Sequence, residues 1–520
     1  MGVVPHGHQA KENFEKSIPP FMKNSKIMLY KLLNGGYNIM KYNSLKLENS
    51  IKEMSQEILK IISKEEIEKI AREVGFVQRE GKIKAWQFLY LCAFSELDIS
   101  KDTLVTMTAS LGSKTNTDVS SQAIDQRFNN RAVEFLKILF TKLLENNILL
   151  NSNIPCVWDS YFERIRIVDS TSFQVPEIYK DEYPGSGGSA KISGVKIQLE
   201  YELKTGDFMH IDVEPAKGSD NTFGSKIKDT FKPKDLSLRD LGYFNFKDFK
   251  DIESKGAFYI SRLKPNIAVY LKNEDVIHYK NGNPQKETLF KRANLVDVAS
   301  KMNEGEILEI EEAFVGRIEK RKERLIIYKL TEEQLKKRKE KVEYTAKKKG
   351  IKKSANTIEL LGITVYITNI KYETLTKSQI HEFYSLRWQV EIMFKIWKSI
   401  FHLSKVKPVK IERFKCQLYG KLILLILNSL IVFKMRSELL QDRHVEVSEI
   451  KSAEIVNEYM QEIYLGFINN PLNANIIFLT KVFNCIYKNG RKSHRKGKKT
   501  FFDILGVSYN CPEKRSDTAA

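Results

Sequence analysis

Three acidic side chains stand where they could hold metal ions for chemistry on phosphates. Asp169 follows the alternating segment RIRIV, Asp240 follows the short segment LSLR, and Glu391 lies far downstream in a helical pattern. Strand ends and a helix can bring such residues to one point, and hard cations such as Mg²⁺ or Mn²⁺ prefer oxygen ligands. Two such ions can stabilise both the attacking and the leaving oxygen of a phosphodiester. Taken singly, each Asp has a simpler explanation, because Asp favours the turns at which strands end.

The segment YSLRWQVEIMFKIWK, residues 384–398, predicts a helix with two distinct faces. One face is apolar at the spacing of a helix that packs on a core, and its residues are Val390, Phe394, Trp397 and Phe401. A second face, about 100° away around the helix axis, is polar and contains Tyr384, Arg387, Glu391, Lys395 and Lys398. The alternative is a solvent-exposed Glu391 that is merely supported by Lys395 one turn later.

The N-terminal part of the chain, residues 44–150, predicts helices with little strand signal. Ser63 and Glu66 have the spacing of a capping box that opens a helix. The stretch that begins at Ser120, SSQAIDQRFNNRAVEFL, is the candidate recognition element of a helix-turn-helix, and a plain helical bundle explains it equally well. Residues 1–43 predict a flexible tail.

Strand patterns begin at Arg164. The segments GVKIQLEYEL and DFMHIDVEP predict a hairpin across residues 204–207, and LSLRDLGYF predicts a strand that ends at Asp240. Residues 261–368 predict a β-rich region, with strands in NIAVYL, DVIHYK, GEILEIEEAFVG, RLIIYKL and ELLGITVYIT. A Lys-rich helix, TEEQLKKRKEKVEYTAKKKG, interrupts these strands, and helices resume near Ser378.

Excess positive charge indicates a polyanionic partner such as nucleic acid. The chain has 85 Lys and Arg against 65 Asp and Glu, a net charge of +20 and a pI of about 9.3. Residues 317–353 contain 16 basic and six acidic residues, and residues 481–499 contain eight basic and no acidic residues. The positive charge of residues 317–353 favours their contact with DNA. For residues 481–499, a disordered DNA-binding tail and an ordered role are equally supported.

Cysteine and hydropathy patterns favour a cytoplasmic protein. The five cysteines form no CxxC pair, so neither disulfides nor a zinc ribbon are expected. The apolar run LILLILNSLIVF, residues 422–433, is too short to cross a bilayer, so we expect a buried helix and no membrane association. The first residues lack the basic and apolar regions of a signal peptide.

The spacing around Glu391 resembles a known signature. Tyr384, two residues, Arg387, three residues, Glu391, six residues and Lys398 reproduce the Y-(2)-R-(3)-E-(6)-K pattern. This pattern is that of bacterial insertion-sequence DDE transposases, in the family known as insertion sequence four. DSTSFQVP and RDLGYF resemble the family's first-Asp and second-Asp segments, and YITN resembles the strand before the Glu helix. The resemblance spans residues 160–430.

The resemblance implies an α/β fold with a ribonuclease H-like catalytic core, interrupted by a β-rich insertion and flanked by helical N-terminal and C-terminal regions. The implied regions, in chain order, are a helical DNA-binding region at 44–160, the first part of the core at 161–260, the basic β-rich insertion at 261–368, the second part of the core with the Glu helix at 369–435, and a C-terminal helical region with a basic tail at 436–520.

The resemblance also implies a function. Asp169, Asp240 and Glu391 would be the catalytic residues and the metal ligands of two Mg²⁺ or Mn²⁺ ions. The expected DNA-binding residues are Tyr384, Arg387, Lys395 and Lys398. The protein would bind the ends of its insertion sequence and catalyse metal-dependent cleavage and strand transfer, which is cut-and-paste DNA transposition. Its expected partners are double-stranded DNA, as terminal inverted repeats and target, and a second copy in a homodimer. Its expected location is the bacterial cytoplasm, associated with the nucleoid.

Two other functions are compatible with the sequence. A catalytically inactive relative that binds DNA as a repressor would share the basic charge but would be expected to lose a carboxylate, and all three are present. A metal-dependent nuclease without strand transfer would use the same residues.

A DNA hairpin intermediate is a further question. Relatives stabilise such a hairpin with an aromatic residue that holds a flipped base. The β-rich insertion contains no Trp, since the four Trp are Trp86, Trp158, Trp388 and Trp397.

Overall fold

The computed structural model describes residues 44–95, 102–146, 152–187, 192–264, 267–349, 358–469, 473–495 and 497–510. The tail predicted for residues 1–43 lies outside these described residues. The chain forms two compact units, Met1–Ser50 and Ile51–Ala520. Of the first unit, only the start of helix α1 (Ser44–Ile62) is described. The second unit contains the elements discussed below.

Helices occupy the described residues that precede position 146, as predicted. After α1 they are α2 (Lys64–Glu73), α3 (Ala85–Leu89) with a π-helical turn at Tyr90–Phe94, α4 (Leu104–Thr115), α5 (Ser121–Arg127) and α6 (Asn130–Glu145). Ser63 caps α2 by accepting a hydrogen bond from the backbone N–H of Glu66. Ser120 caps α5 in the same way, and the buried Phe128 lies between α5 and α6. DNA recognition by this helix pair stays a prediction.

Ten strands form one mixed sheet in the described part of the chain. They are β1 (Arg164–Gln174), β2 (Gly194–Glu202), β3 (Phe208–Pro215), β4 (Asp235–Arg239), β5 (Phe258–Arg262), β6 (Val269–Lys272), β7 (Phe290–Arg292), β8 (Ile307–Val315), β9 (Arg321–Lys329) and β10 (Ile363–Thr368). Their order across the sheet is β3-β2-β1-β4-β5-β10-β9-β8-β6-β7. The pairings of β1 with β4 and of β4 with β5 are parallel, and the others are antiparallel.

The parallel pairing of β1 with β4 brings two of the predicted acids to the same place. Its last paired residues are Val168 and Arg239. Asp169 directly follows the ladder on the β1 side, and Asp240 directly follows it on the β4 side. Contrary to the sequence pattern, β1 does not end at Asp169. It continues to Gln174 because β2 still pairs with it there, and Asp169 marks the end of only the β1–β4 ladder.

Buried ion pairs fix the register at the other end of this ladder. Asp235 accepts hydrogen bonds from Arg164 Nε at 2.7 Å and from Arg166 Nη1 at 2.9 Å. Arg166 also contacts Glu200 on β2 at 2.6 Å, and both side chains are fully buried. Because a buried charge that loses its partner is strongly destabilising, a slipped register is disfavoured.

The β-rich region predicted at residues 261–368 continues the same sheet. β10 pairs with both β5 and β9, and the predicted strand segments overlap β6, β8, β9 and β10. DVIHYK is an exception, because His278 makes only an isolated bridge with Pro284. The helices between the strands are α7 (Asp220–Ile227), α8 (Phe246–Ser254), α9 (Leu295–Ser300) and α10 (Glu332–Lys349), the predicted Lys-rich helix.

The segment around Glu391 forms two helices, α11 (Lys377–Ser385) and α12 (Trp388–Ser399), rather than the single helix predicted. Between the two helices and in the first turn of α12, backbone N–H groups bond to the carbonyl three residues earlier, at Leu386, Arg387, Gln389 and Val390. This 3₁₀ pattern tightens the chain where α11 ends and α12 begins. The predicted apolar face is confirmed, because the four residues Val390, Phe394, Trp397 and Phe401 are buried.

The longest described helix, α13 (Ile411–Arg443), contains the apolar run at residues 422–433. Among the described residues it is the one helix long and apolar enough to span a membrane, and 83% of its most apolar window is buried inside the protein. The predicted buried helix is therefore confirmed. Gly420 allows α13 to lie directly against the π-helical turn, since a Cβ at this position would stand 2.3 Å from the carbonyl oxygen of Cys92.

The described part of the C-terminal basic segment, residues 481–499, is held in place. It follows α14 (Glu449–Asn469), includes the end of α15 (Asn473–Asn489) and precedes α16 (Phe501–Leu505). Lys492 lies 3.3 Å from Glu446 and 3.5 Å from Glu449. The indole N–H of Trp158, just before β1, donates to a carbonyl of α16 at 3.3 Å. DNA binding by this segment stays a prediction.

The approach of α13 to the π-helical turn is testable at one glycine. We expect Gly420→Ala to lower the free energy of unfolding by about 1–3 kcal/mol, the usual effect of overpacking, because the clash is with backbone. Gly81→Ala is the matched control, since a Cβ at Gly81 meets nothing within 4 Å. Denaturant unfolding of both variants measures the difference. Equal stability of the two variants would show that the helix does not lie this close.

Candidate active site

The side chains of Asp169, Asp240 and Glu391 meet at the sheet edge where the β1–β4 ladder ends, and two residues of the polar face connect them. Arg387 donates to Asp169 Oδ2 at 2.6 Å through Nη1 and to Glu391 Oε1 at 2.8 Å through Nη2. The Tyr384 hydroxyl donates to Asp240 Oδ1 at 3.2 Å. The structure therefore brings all three predicted acids together from distant parts of the chain.

Negative charge accumulates in this site. The Asp169 side chain is 18% exposed, and burial raises the pKa of Asp169 to about 6, while Arg387 lowers this pKa and the carboxylates of Asp240 and Glu391 raise it. Glu391 is more open to solvent, with 40% of its side chain exposed. A single guanidinium among three carboxylates leaves a local excess of negative charge, which attracts cations.

The chemistry of these donors fits a hard divalent cation, because all of them are carboxylate oxygens. As arranged, no group of three His, Cys, Asp or Glu side chains in the described residues is close enough to hold a metal ion. The guanidinium of Arg387 lies between Asp169 and Glu391. A divalent cation and this guanidinium would neutralise the same carboxylates, so the two compete for them.

The four predicted DNA-binding residues differ in accessibility. Tyr384 and Arg387 are 6% and 8% exposed, and both face the carboxylates. Lys398 is half-buried and donates to the carbonyl oxygen of Ser172 on β1 at 3.2 Å, and burial lowers the pKa of Lys398. Lys395 is exposed. Contact of these four residues with DNA stays a prediction.

Trp388 is an exposed aromatic residue beside the acids that the sequence patterns did not single out. Its exposed fraction is 60%, and the guanidinium carbon of Arg387 lies 5.8 Å from its ring centre. The β-rich insertion offers no Trp, whereas Trp388 stands on the Glu helix itself. The available signal was its position off the apolar face, three residues before Glu391.

Comparison with known proteins identifies the family. The model of the transposase DDE domain matches residues 160–427. The transposase for insertion sequence element IS231E of Bacillus thuringiensis subsp. finitimus is 41% identical over 90% of this chain and 97% of its own length. The transposase for IS231C of Bacillus thuringiensis subsp. berliner is 40% identical over the same shares. The transposase for IS1151 of Clostridium perfringens is 38% identical over 88% of this chain and 97% of its own length.

One solved structure, the piggyBac transposase synaptic complex with hairpin DNA, has a TM-score of 0.41 and 9% identity over 89% of this chain and 88% of that chain. This likeness is too low to inform the fold.

The fold and the site define a mixed α/β enzyme with carboxylates gathered at one sheet edge. The chain belongs to the bacterial insertion-sequence DDE transposases. The predicted family, function and enzyme class are therefore confirmed.

Removing Arg387 tests whether its guanidinium is the counter-charge of the acids. In metal-free buffer we expect Arg387→Ala to lower the free energy of unfolding by about 2–4 kcal/mol, because Asp169 and Glu391 lose the partner of partly buried charges. Added Mg²⁺ should raise the unfolding temperature of this variant more than that of the parent, because the cation replaces the lost charge. Thermal unfolding with and without Mg²⁺ measures both effects.

Lys395→Ala is the matched control, since Lys395 is an exposed cation on the adjacent helix. It should unfold like the parent in both buffers. If Arg387→Ala also unfolds like the parent in metal-free buffer, the guanidinium does not stabilise the acids.

Proposed function

We propose that Asp169, Asp240 and Glu391 are the catalytic residues of this transposase and that they bind two divalent cations, Mg²⁺ or Mn²⁺. The observation that carries this proposal is the guanidinium of Arg387 shared between Asp169 and Glu391, with Asp240 bound by the neighbouring Tyr384. Three acids that converge from distant segments and exceed the local positive charge are typical of a functional cation site.

The catalytic core of this proposal is ribonuclease H-like. The strand order β3-β2-β1-β4-β5, antiparallel in its first three strands and parallel from β1 to β5, supports this assignment. The proposed regions are a helical DNA-binding region at 44–160, the core at 161–260 and 369–435, the β-rich insertion at 261–368 and a C-terminal region at 436–520.

The cations, when bound, would lower the pKa of an attacking water or 3′-hydroxyl and stabilise the leaving oxygen of the phosphodiester. The chain's own residues keep the ligands in place. Tyr384 holds Asp240 through its hydroxyl group. Lys398 ties α12 to β1 through the carbonyl oxygen of Ser172, so the helix that carries Glu391 stays docked beside Asp169.

Arg387 would change partners during the reaction cycle. In the metal-free protein it is the counter-charge of Asp169 and Glu391. With a cation held by these carboxylates, the guanidinium would be free to contact a DNA phosphate, which its planar donor fork suits. The exposed Lys395 would contact a phosphate nearby. Trp388 offers a flat aromatic surface on which a flipped base could stack.

Double-stranded DNA is the proposed substrate, both as the element's terminal inverted repeats and as the target. Among its described side chains, helix α10 presents five exposed lysines, Lys336, Lys337, Lys339, Lys341 and Lys347. Arg338 points to the other side and donates to the carbonyl oxygens of Leu361 at 3.1 Å and Ile363 at 2.8 Å. The helix is thus anchored by one cation while the others face solvent, which suits contact with phosphates. We further propose a homodimer in the DNA complex and a cytoplasmic, nucleoid-associated location.

The catalytic assignment is testable with DNA that carries the native element ends. We expect Glu391→Gln to retain DNA binding and to reduce nicking in Mg²⁺ or Mn²⁺ by about 10³-fold, because a metal ion contributes several kcal/mol to the transition state. Gel assays of binding and of strand cleavage measure the two properties. Glu373→Gln is the matched control, since Glu373 is exposed, and it should cleave like the parent. Cleavage by Glu391→Gln at the parental rate would remove Glu391 from the catalytic set.

A further inference from the structure

A fourth acidic residue, Asp220, connects the two chain segments that carry Asp169 and Asp240. Asp220 is the first residue of α7, and its Oδ1 atom accepts a hydrogen bond from the hydroxyl of Ser170 at 3.1 Å. Ser170 directly follows Asp169 on β1. The backbone N–H of Ser170 in turn donates to Asp169 Oδ1 at 2.8 Å, so Asp220 acts on the residue that orients the first acid.

The same Oδ1 atom is held by two side chains of β2. Lys196 Nζ and Gln198 Nε2 each donate to it at 3.0 Å. Lys196 also donates to the carbonyl oxygen of Gly218 at 2.6 Å, which fixes the turn that leads into α7. Asp220 therefore has a charged partner and two further donors, and its position is closely defined.

The turn after Asp240 packs on the other side of Asp220. A Cβ at Gly242 would lie 2.8 Å from Asp220 Oδ2. The close approach of this turn to Asp220 therefore requires a residue without a side chain. The next residue, Tyr243, is buried, and its hydroxyl donates to Gln198 Oε1 at 2.5 Å. Asp220 and Gln198 thus contact both the segment after Asp169 and the segment after Asp240.

We propose that Asp220 is a positioning residue that fixes the separation of Asp169 and Asp240 and thereby sets the affinity of the site for a divalent cation. This inference rests on the proposed function of these two acids as metal ligands. Asp220 acts through its neighbours, because Oδ1 already accepts three hydrogen bonds and Oδ2 faces the Gly242 turn. Residues that orient metal ligands commonly change metal affinity by 10- to 100-fold.

The test is Mn²⁺ binding to the full-length protein without DNA, followed by the electron paramagnetic resonance signal of free Mn²⁺. We expect Asp220→Ala to weaken binding by about 10-fold or more. Ser170→Ala, which removes only the hydroxyl, and Gly242→Ala, which pushes Asp220 away, should weaken binding in the same direction. Asp220→Asn retains an acceptor oxygen and should recover part of the loss.

Asp212→Ala is the matched control, because Asp212 is a nearby carboxylate with 42% of its side chain exposed and pairs with Lys226 instead. It should bind Mn²⁺ like the parent. Should Asp220→Ala fail to fold, Ser170→Ala decides the question, since the loss of this half-buried hydroxyl leaves the ion pair of Asp220 with Lys196 intact. Parental Mn²⁺ affinity in folded Asp220→Ala, or in Ser170→Ala if that variant decides, would overturn the inference.

Glu391→Gln, measured beside them, separates this inference from the proposed function. If Glu391→Gln weakens Mn²⁺ binding and the Asp220 and Ser170 variants do not, the positioning role is wrong and the metal site stands. If Glu391→Gln binds Mn²⁺ like the parent, the metal assignment itself is wrong, and the positioning role falls with it.

Discussion

The whole site depends on how three carboxylates at one sheet edge are kept together despite their mutual repulsion. Among the described residues, Asp169 and Glu391 share one guanidinium, that of Arg387, and Asp240 accepts a hydrogen bond from the neutral hydroxyl of Tyr384. Because this positive charge is smaller than the negative charge it faces, the folded protein has excess negative charge at this site, and that excess attracts cations. This excess of negative charge connects the fold to the metal-dependent function proposed above.

The surroundings divide into parts that are fixed and one part that can move. The β1–β4 register is fixed by the buried ion pairs of Asp235, and α12 is fixed by its buried apolar face and by Lys398. Arg387 differs from these, because it lies in the 3₁₀ turn between α11 and α12 and its Nε has no hydrogen-bond partner within the described part of the chain. A 3₁₀ turn at such a place is typical of a hinge. In the function proposed above, the acids would stay in position while the guanidinium exchanges a carboxylate for a phosphate.

Local patterns predicted much of this arrangement, and non-local pairing explains what they missed. Alternation and helical spacing predicted β1, β4, β10 and the buried face that includes Val390 and Trp397, because burial on one side imposes a period. Spacing could not show that Arg387 turns inward, since this depends on Asp169, 218 residues earlier. It also could not show that β1 extends beyond Asp169, because that extension depends on pairing with β2. No alternation, helical spacing or motif in the sequence marks Asp220. Its contacts with Ser170 and Gly242 are visible only in the folded structure.

The most direct measurement is the crystal structure of the full-length protein with Mn²⁺ and element-end DNA, with Mn²⁺ located by its anomalous scattering. The account predicts Mn²⁺ in contact with carboxylate oxygens of Asp169, Asp240 and Glu391, and the guanidinium of Arg387 moved away from at least one of its two carboxylates onto a DNA phosphate. Mn²⁺ bound elsewhere, with Arg387 still bridging Asp169 and Glu391 beside the scissile phosphate, would contradict it.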